Sequence, residues 1–180
     1  MITAKKKREE NIAEYILYMW QVEDLIRANK CNMDLIEENI IPHYKTDKKR
    51  IKEIKEWWEN LTEMIKIEEK REKGHLQVIK NLINDLNSLH LNLINSNHHK
   101  QYQLLYMSVQ PLINELKSKT DKECNNEVEL MLSAIYNSFL LKLKGDKVSE
   151  ETNQALEAFS KLLAELSKKE KLEREGELEL

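Results

Sequence analysis

The sequence predicts an all-α fold, a single-domain bundle of about six to seven helices. Only 3 glycines and 2 prolines occur in 180 residues, a composition that starves tight turns and sheets while favouring helix. Apolar residues also recur at helical spacing along most of the chain, and the 41% hydrophobic content is enough for one well-buried core.

The first helix is read over Asn11 to Asn29, where Ile12, Tyr15, Ile16, Met19, Trp20, Val22 and Ile26 share a face and Asn11 is placed to cap it. A shorter helix follows over Met33 to Ile41, opened by Asn32 and Asp34 and stopped before Pro42, with "PHYKTD" as a loop. The third starts at Lys48 behind Asp47 and carries Ile51, Ile54, Trp57, Trp58, Leu61, Met64 and Ile65. The charge run "EEKREKGH" interrupts it, and Gly74 is the expected place for its C-terminus.

A fourth helix resumes near His75 and runs to about Asn95 with Leu76, Ile79, Leu82, Ile83, Leu86, Leu89 and Leu93 on its apolar side. After the loop "NSNHHK", a fifth carries Tyr102, Leu105, Tyr106, Val109, Leu112, Ile113 and Leu116, and Pro111 is expected to kink or restart it. "SKTDKECN" separates this from a sixth helix bearing Cys124, Val128, Met131, Leu132, Ile135 and Phe139 and ended by Gly145. The seventh begins after Ser149, whose cap is followed by Glu150 and Glu151, and buries Ala155, Phe159, Leu162, Leu163 and Leu166. The pattern thus predicts one helical domain over 1–168 and a charged, disordered tail over 169–180.

Charge excludes some functions. With 29 Lys and Arg against 32 Asp and Glu, no overall positive field calls for nucleic acid. The basic clusters "KKKR" at Lys5 and "KKRIKEIK" at Lys48 have acids within or after them and no aromatic stacking motif beside them. The apolar run from Tyr15 to Trp20 is too short for a membrane span and no small-residue cleavage site follows it. Cys31 and Cys124 are isolated thiols, which argues against a disulfide framework and for a reducing cytoplasm. Phosphate-binding loops, dinucleotide fingerprints, nucleophile elbows and zinc motifs are missing from the sequence.

What chemistry the sequence offers lies in polar residues on apolar stripes. At about 100° per residue from Ile12, Glu23 falls at roughly 20°, within the stripe of Ile16, Met19, Trp20 and Ile26. Arg27 lies one turn on, while Asp24 points to solvent. A buried carboxylate must be paired, protonated or placed at a cavity, and Arg27 is its expected i,i+4 partner. His75 and His90 also fall on an apolar side, with Asp85 at its edge; about 22 Å apart along one helix axis, the two imidazoles each need a separate partner.

Trp20, Glu23, Arg27, His75, Asp85 and His90 are therefore the candidate ligand or structural cluster. Glu72 and His75 spell the E-x-x-H of carboxylate-bridged metal bundles, but the motif occurs once and straddles Gly74, so no metal or cofactor is expected. His43, His98 and His99 read as loop residues, and at least one of Trp57 and Trp58 as core.

"NIAEYILYMWQVEDLIRA" from Asn11, "EKGHLQ" from Glu72 and "DLNSLHLNLI" from Asp85 resemble a family of small bacterial proteins, typical of Bacteroidetes, known as a domain of unknown function. That resemblance implies an all-helical cytoplasmic protein with no assigned activity. The leading functional reading is a binding or interaction protein, with a homodimer, a protein partner or a small-molecule ligand as the occupants to consider. The alternatives are a small enzyme using a buried Glu or His as general base, and a polar cluster that is purely structural.

Overall fold

Local capping chemistry sets most helix boundaries in the computed structural model, which describes residues 2–120 and 124–179. The α-helices are α1 (Ile2–Glu10), α2 (Ile12–Ala28), α3 (Met33–Asn39), α4 (Lys48–Ile67), α5 (Gln77–Asn95), α6 (Lys100–Lys119), α7 (Glu127–Leu143) and α8 (Glu150–Arg174). A 3-10 turn over Ile41–His43 follows α3, and no strand occurs among the described residues. Part of "SKTDKECN", residues 121–123, lies outside them.

Three of the expected caps, Asn32, Asp47 and Ser149, accept from the amides of Asp34, Arg50 and Thr152, and Asn126, which the sequence reading did not single out, accepts from Glu129; each satisfies an orphan donor in a first helical turn. The helix count exceeds the six to seven expected because the basic N-terminal segment forms α1. Its charged sequence shows no apolar periodicity, and Ala4 is its one buried hydrophobic residue among those described.

The helices gather into two compact units within the span expected to form one domain. The first takes the N-terminal segment to Arg8 together with Glu14–Asn81; the second takes Glu9–Ala13 and the chain from Leu82 onward. In the first, Ile16, Met19, Trp20 and Ile26 of α2 and Trp58 and Ile65 of α4 are among the buried side chains. α3 and the 3-10 turn pack against α4 there. In the second, α6, α7 and α8 pack on one another, burying Tyr102, Ile113, Met131, Leu132, Leu162 and Leu166.

The larger differences from the sequence reading lie in α4, α6 and α8. α4 ends at Ile67, seven residues before Gly74, because Glu69 takes the left-handed conformation at φ 56°. The Glu69 amide then donates to Lys66 O at 3.2 Å and the Lys70 amide to Ile65 O at 2.8 Å, closing a Schellman turn without glycine. α2 ends the same way at Lys30, whereas α7 and α8 use Gly145 and Gly176.

Pro111 does not restart α6, which runs unbroken past it. The carbonyl it leaves without a donor is that of Met107, on a face where Met107 and Pro111 are both exposed to water. Finally, α8 continues through residues 169–174, which the charge pattern assigned to the tail. Pairs such as Arg174–Glu170 at 3.5 Å support that last turn, and Arg174 also donates to the Glu9 carbonyl at 3.1 Å.

Because a non-glycine residue in the left-handed region costs about 1 kcal/mol, Glu69→Gly is expected to stabilise the protein by about that amount. Thermal unfolding should show a Tm higher by roughly 2–4 °C. An unchanged or lowered Tm would contradict the assignment of the α4 terminus.

Candidate functional site

The apolar stripe of α2 carries Glu23 into the interior of the first unit, where it is 1% exposed. Its two oxygens have separate partners. Oε1 accepts from the Leu76 amide at 3.0 Å, and Oε2 lies 2.6 Å from His75 Nδ1. Since an ionised carboxylate only accepts, Nδ1 is the donor in that pair.

Leu76 occupies the cap position of α5, its carbonyl accepting from Ile79 and Lys80. A leucine side chain has no acceptor for a helix-start donor, so Glu23 supplies one from another helix. The next amide, Gln77, donates to Glu68 Oε2 at 2.7 Å. Two carboxylates thus sit at the positive end of α5, where negative charge is favoured.

Arg27 has a different role from the one expected. Its Nη2 is 3.9 Å from Glu23 Oε2, so the i,i+4 pair is loose. The guanidinium instead donates from Nε to the Lys70 carbonyl at 3.0 Å, from Nη2 to the Gly74 carbonyl, and from Nη1 to Asp24 at 2.7 Å. It clasps the segment after α4 to α2, and a planar fork suits that task where a lysine ammonium would not. Trp20 stacks on the His75 ring at 4.3 Å and 17°, closing the cluster from the apolar side.

His90 belongs to a second cluster, inside the second unit. It is 1% exposed, and its Nδ1 lies 2.6 Å from the Tyr102 hydroxyl. Among the described residues, its Nε2 has no hydrogen-bond partner, and it faces Glu127 Oε2 across 3.7 Å. Glu127 accepts from the Tyr106 hydroxyl at 3.0 Å and from Lys117 at 2.7 Å. Burial holds the His90 imidazole below its ordinary range, against the opposing pull of Glu127. Burial also acts to raise Glu127, but the Lys117 and Tyr106 hydrogen bonds outweigh it and keep that carboxyl below its usual range.

Four of the six expected residues, Trp20, Glu23, Arg27 and His75, therefore come together. His90 has its own partners, and Asp85 is exposed on α5. His75 precedes α5, and Glu72 is an exposed loop residue, so the E-x-x-H spacing has no helix to aim it. Among the described residues, no group of three or more His, Cys, Asp or Glu is placed to hold a metal ion.

Sequence reasoning missed the backbone partners at Lys70, Gly74 and Leu76, which carry no side-chain signature. It also missed Tyr102, Tyr106 and Glu127. The two tyrosines on an apolar stripe were the available signal, because a buried hydroxyl calls for a partner.

The chain belongs to the family described as Domain of unknown function (DUF4924), whose model matches residues 1–177. No curated protein and no solved structure matches it. No helix among the described residues is long and apolar enough to cross a membrane.

Glu23→Gln is expected to lower stability by about 1–3 kcal/mol, because one of the two buried contacts loses its acceptor. Chemical denaturation measures this directly, and an unchanged midpoint would sink the capping role. For His90, the folded pKa lies below the ordinary histidine value of 6.5. The unfolded chain thus binds the proton first, and stability is full above about pH 6.5 and falls as pH drops below it. Between that pH and the carboxylate range, the slope of stability against pH should be shallower in His90→Gln than in the native protein; equal slopes would refute the assignment.

Proposed function

We propose that this chain is an interaction protein of the reducing cytoplasm that associates with a second copy of itself through α7, with the Glu23–His75 cluster as internal scaffold. The observation that carries this reading is the composition of α7. It buries Val128, Leu130, Met131, Leu132 and Tyr136 against its own unit, yet leaves Phe139 38% and Leu143 68% exposed on one face and Leu141 exposed on another. A helix apolar on several faces gains from a partner on the faces its own fold leaves open. A second copy offers the same uncharged side chains and needs no complementary charge.

Glu23 supports the scaffold role because both of its oxygens are engaged within the chain. Among the described residues, neither Cys31 nor Cys124 is joined in a disulfide, in keeping with a reducing compartment.

A second reading rests on His75, whose side chain is 27% exposed. With Nδ1 held by Glu23, its neutral ring keeps the lone pair on Nε2, the arrangement of an oriented general base. This reading makes the pair a proton-transfer site and requires a substrate at the ring edge.

Light scattering on the full chain separates the two. Self-association predicts a dimer mass that falls to the monomer in the double variant Phe139→Glu, Leu143→Glu, with helical content retained. A monomeric native protein at all concentrations would overturn it. The His75 reading instead predicts a metabolite retained in native mass spectrometry and released by His75→Gln.

A further inference from the structure

The two basic segments of the sequence, at Lys5 and Lys48, converge on one cleft of the first unit. This cleft has a volume of about 480 Å³, within the size range of small-molecule sites. Lys5 comes from α1, Lys45 from the loop before α4, and Arg50 from the first turn of α4. Glu53 is the single acid in the lining, so the cleft carries three cations against one carboxylate.

The remaining lining supplies the aromatic ring that neither basic cluster contains in sequence. Tyr44 is half-buried and its hydroxyl accepts from Trp58 Nε1 at 3.3 Å, which fixes the ring from behind. Ile54 is buried beside it, and Thr46 brings a hydroxyl to the rim. More apolar than polar surface faces the cleft, as a ring-bearing ligand requires.

Two of the cations are also available. Lys45 makes no hydrogen bond or ion pair among the described residues. Among the described residues, Arg50 pairs only with Asp47 of its own helix start, at 3.6 Å between two well-exposed side chains, a pairing that water and salt readily replace.

We propose that this cleft binds a small organic phosphate carrying a planar ring, of the nucleoside monophosphate class. The phosphate is held by Lys45 and Arg50, with Lys5 contributing charge from α1, and the ring lies against Tyr44 and Ile54. A guanidinium and an ammonium together suit a phosphate, the first as a fork and the second as a point charge. Glu53 suits the hydroxyls of a sugar, which donate to a carboxylate. The site lies in the first unit, whereas self-association rests on α7 in the second, so either can fail without the other.

Isothermal titration of the full chain with adenosine monophosphate, inorganic phosphate and adenosine tests this. Adenosine monophosphate should bind saturably at one site, with inorganic phosphate weaker by about tenfold or more and adenosine weaker still, since both charge and ring contribute. The double variant Lys45→Glu, Arg50→Glu changes two exposed side chains and should weaken adenosine monophosphate by at least about tenfold while leaving the helical signal unchanged. Tyr44→Ala should weaken adenosine monophosphate but not inorganic phosphate. Absence of saturable binding at millimolar nucleotide, equal binding of adenosine, or binding unaltered in the double charge variant would each overturn the proposal.

Discussion

The structure turns on a buried carboxylate at the start of another helix. α5 begins at a leucine that cannot cap itself, directly after a loop whose carbonyls also need donors. Glu23 answers the first need through the Leu76 amide, and Arg27, one turn along α2, answers the second at Lys70 and Gly74. An acid and a base on one stripe thus serve a single connecting segment, with opposite polarity matched to an amide at one end and carbonyls at the other. Isolated burial of either would be costly; engaged with backbone, each has its partners.

The same logic recurs in the second unit. Ser167, 1% exposed on α8, accepts from the Ala13 amide at 3.3 Å near the start of α2. Here too a helix-start donor is satisfied by a side chain distant in sequence. Such contacts specify which helices meet, because an apolar stripe alone accepts several neighbours of similar shape. His90 is one exception among the described residues: its Nδ1 is satisfied by Tyr102, but Nε2 stands 3.7 Å from Glu127, too far for a hydrogen bond.

Much of this was legible in the sequence. Asn32, Asp47 and Ser149 announced their helices because capping chemistry is local, and the stripe angle of Glu23 already placed it inside. α1 was not legible, since a charged helix with one buried alanine has no periodicity to read. Gly74 misled because the left-handed residue that ends α4 is Glu69, and nothing in a glutamate signals that conformation. Pairing Glu23 with Arg27 followed helix-surface rules, which consider side chains and omit backbone groups of other segments; those groups, together with His75, proved the nearer partners. The convergence of Lys5 with Arg50 is tertiary, and no local pattern could show it.

If Glu23 is what caps α5, the amide of Leu76 reports it. Residue-resolved hydrogen exchange on the native protein and on Glu23→Ala is the most direct measurement. The account predicts strong protection of the Leu76 amide in the native protein and its loss in the variant, with Met131 and Leu132 in the core of the second unit still protected. A Leu76 amide that exchanges as fast as the exposed loop at 71–73 in the native protein, or keeps its protection without the Glu23 side chain, would contradict it.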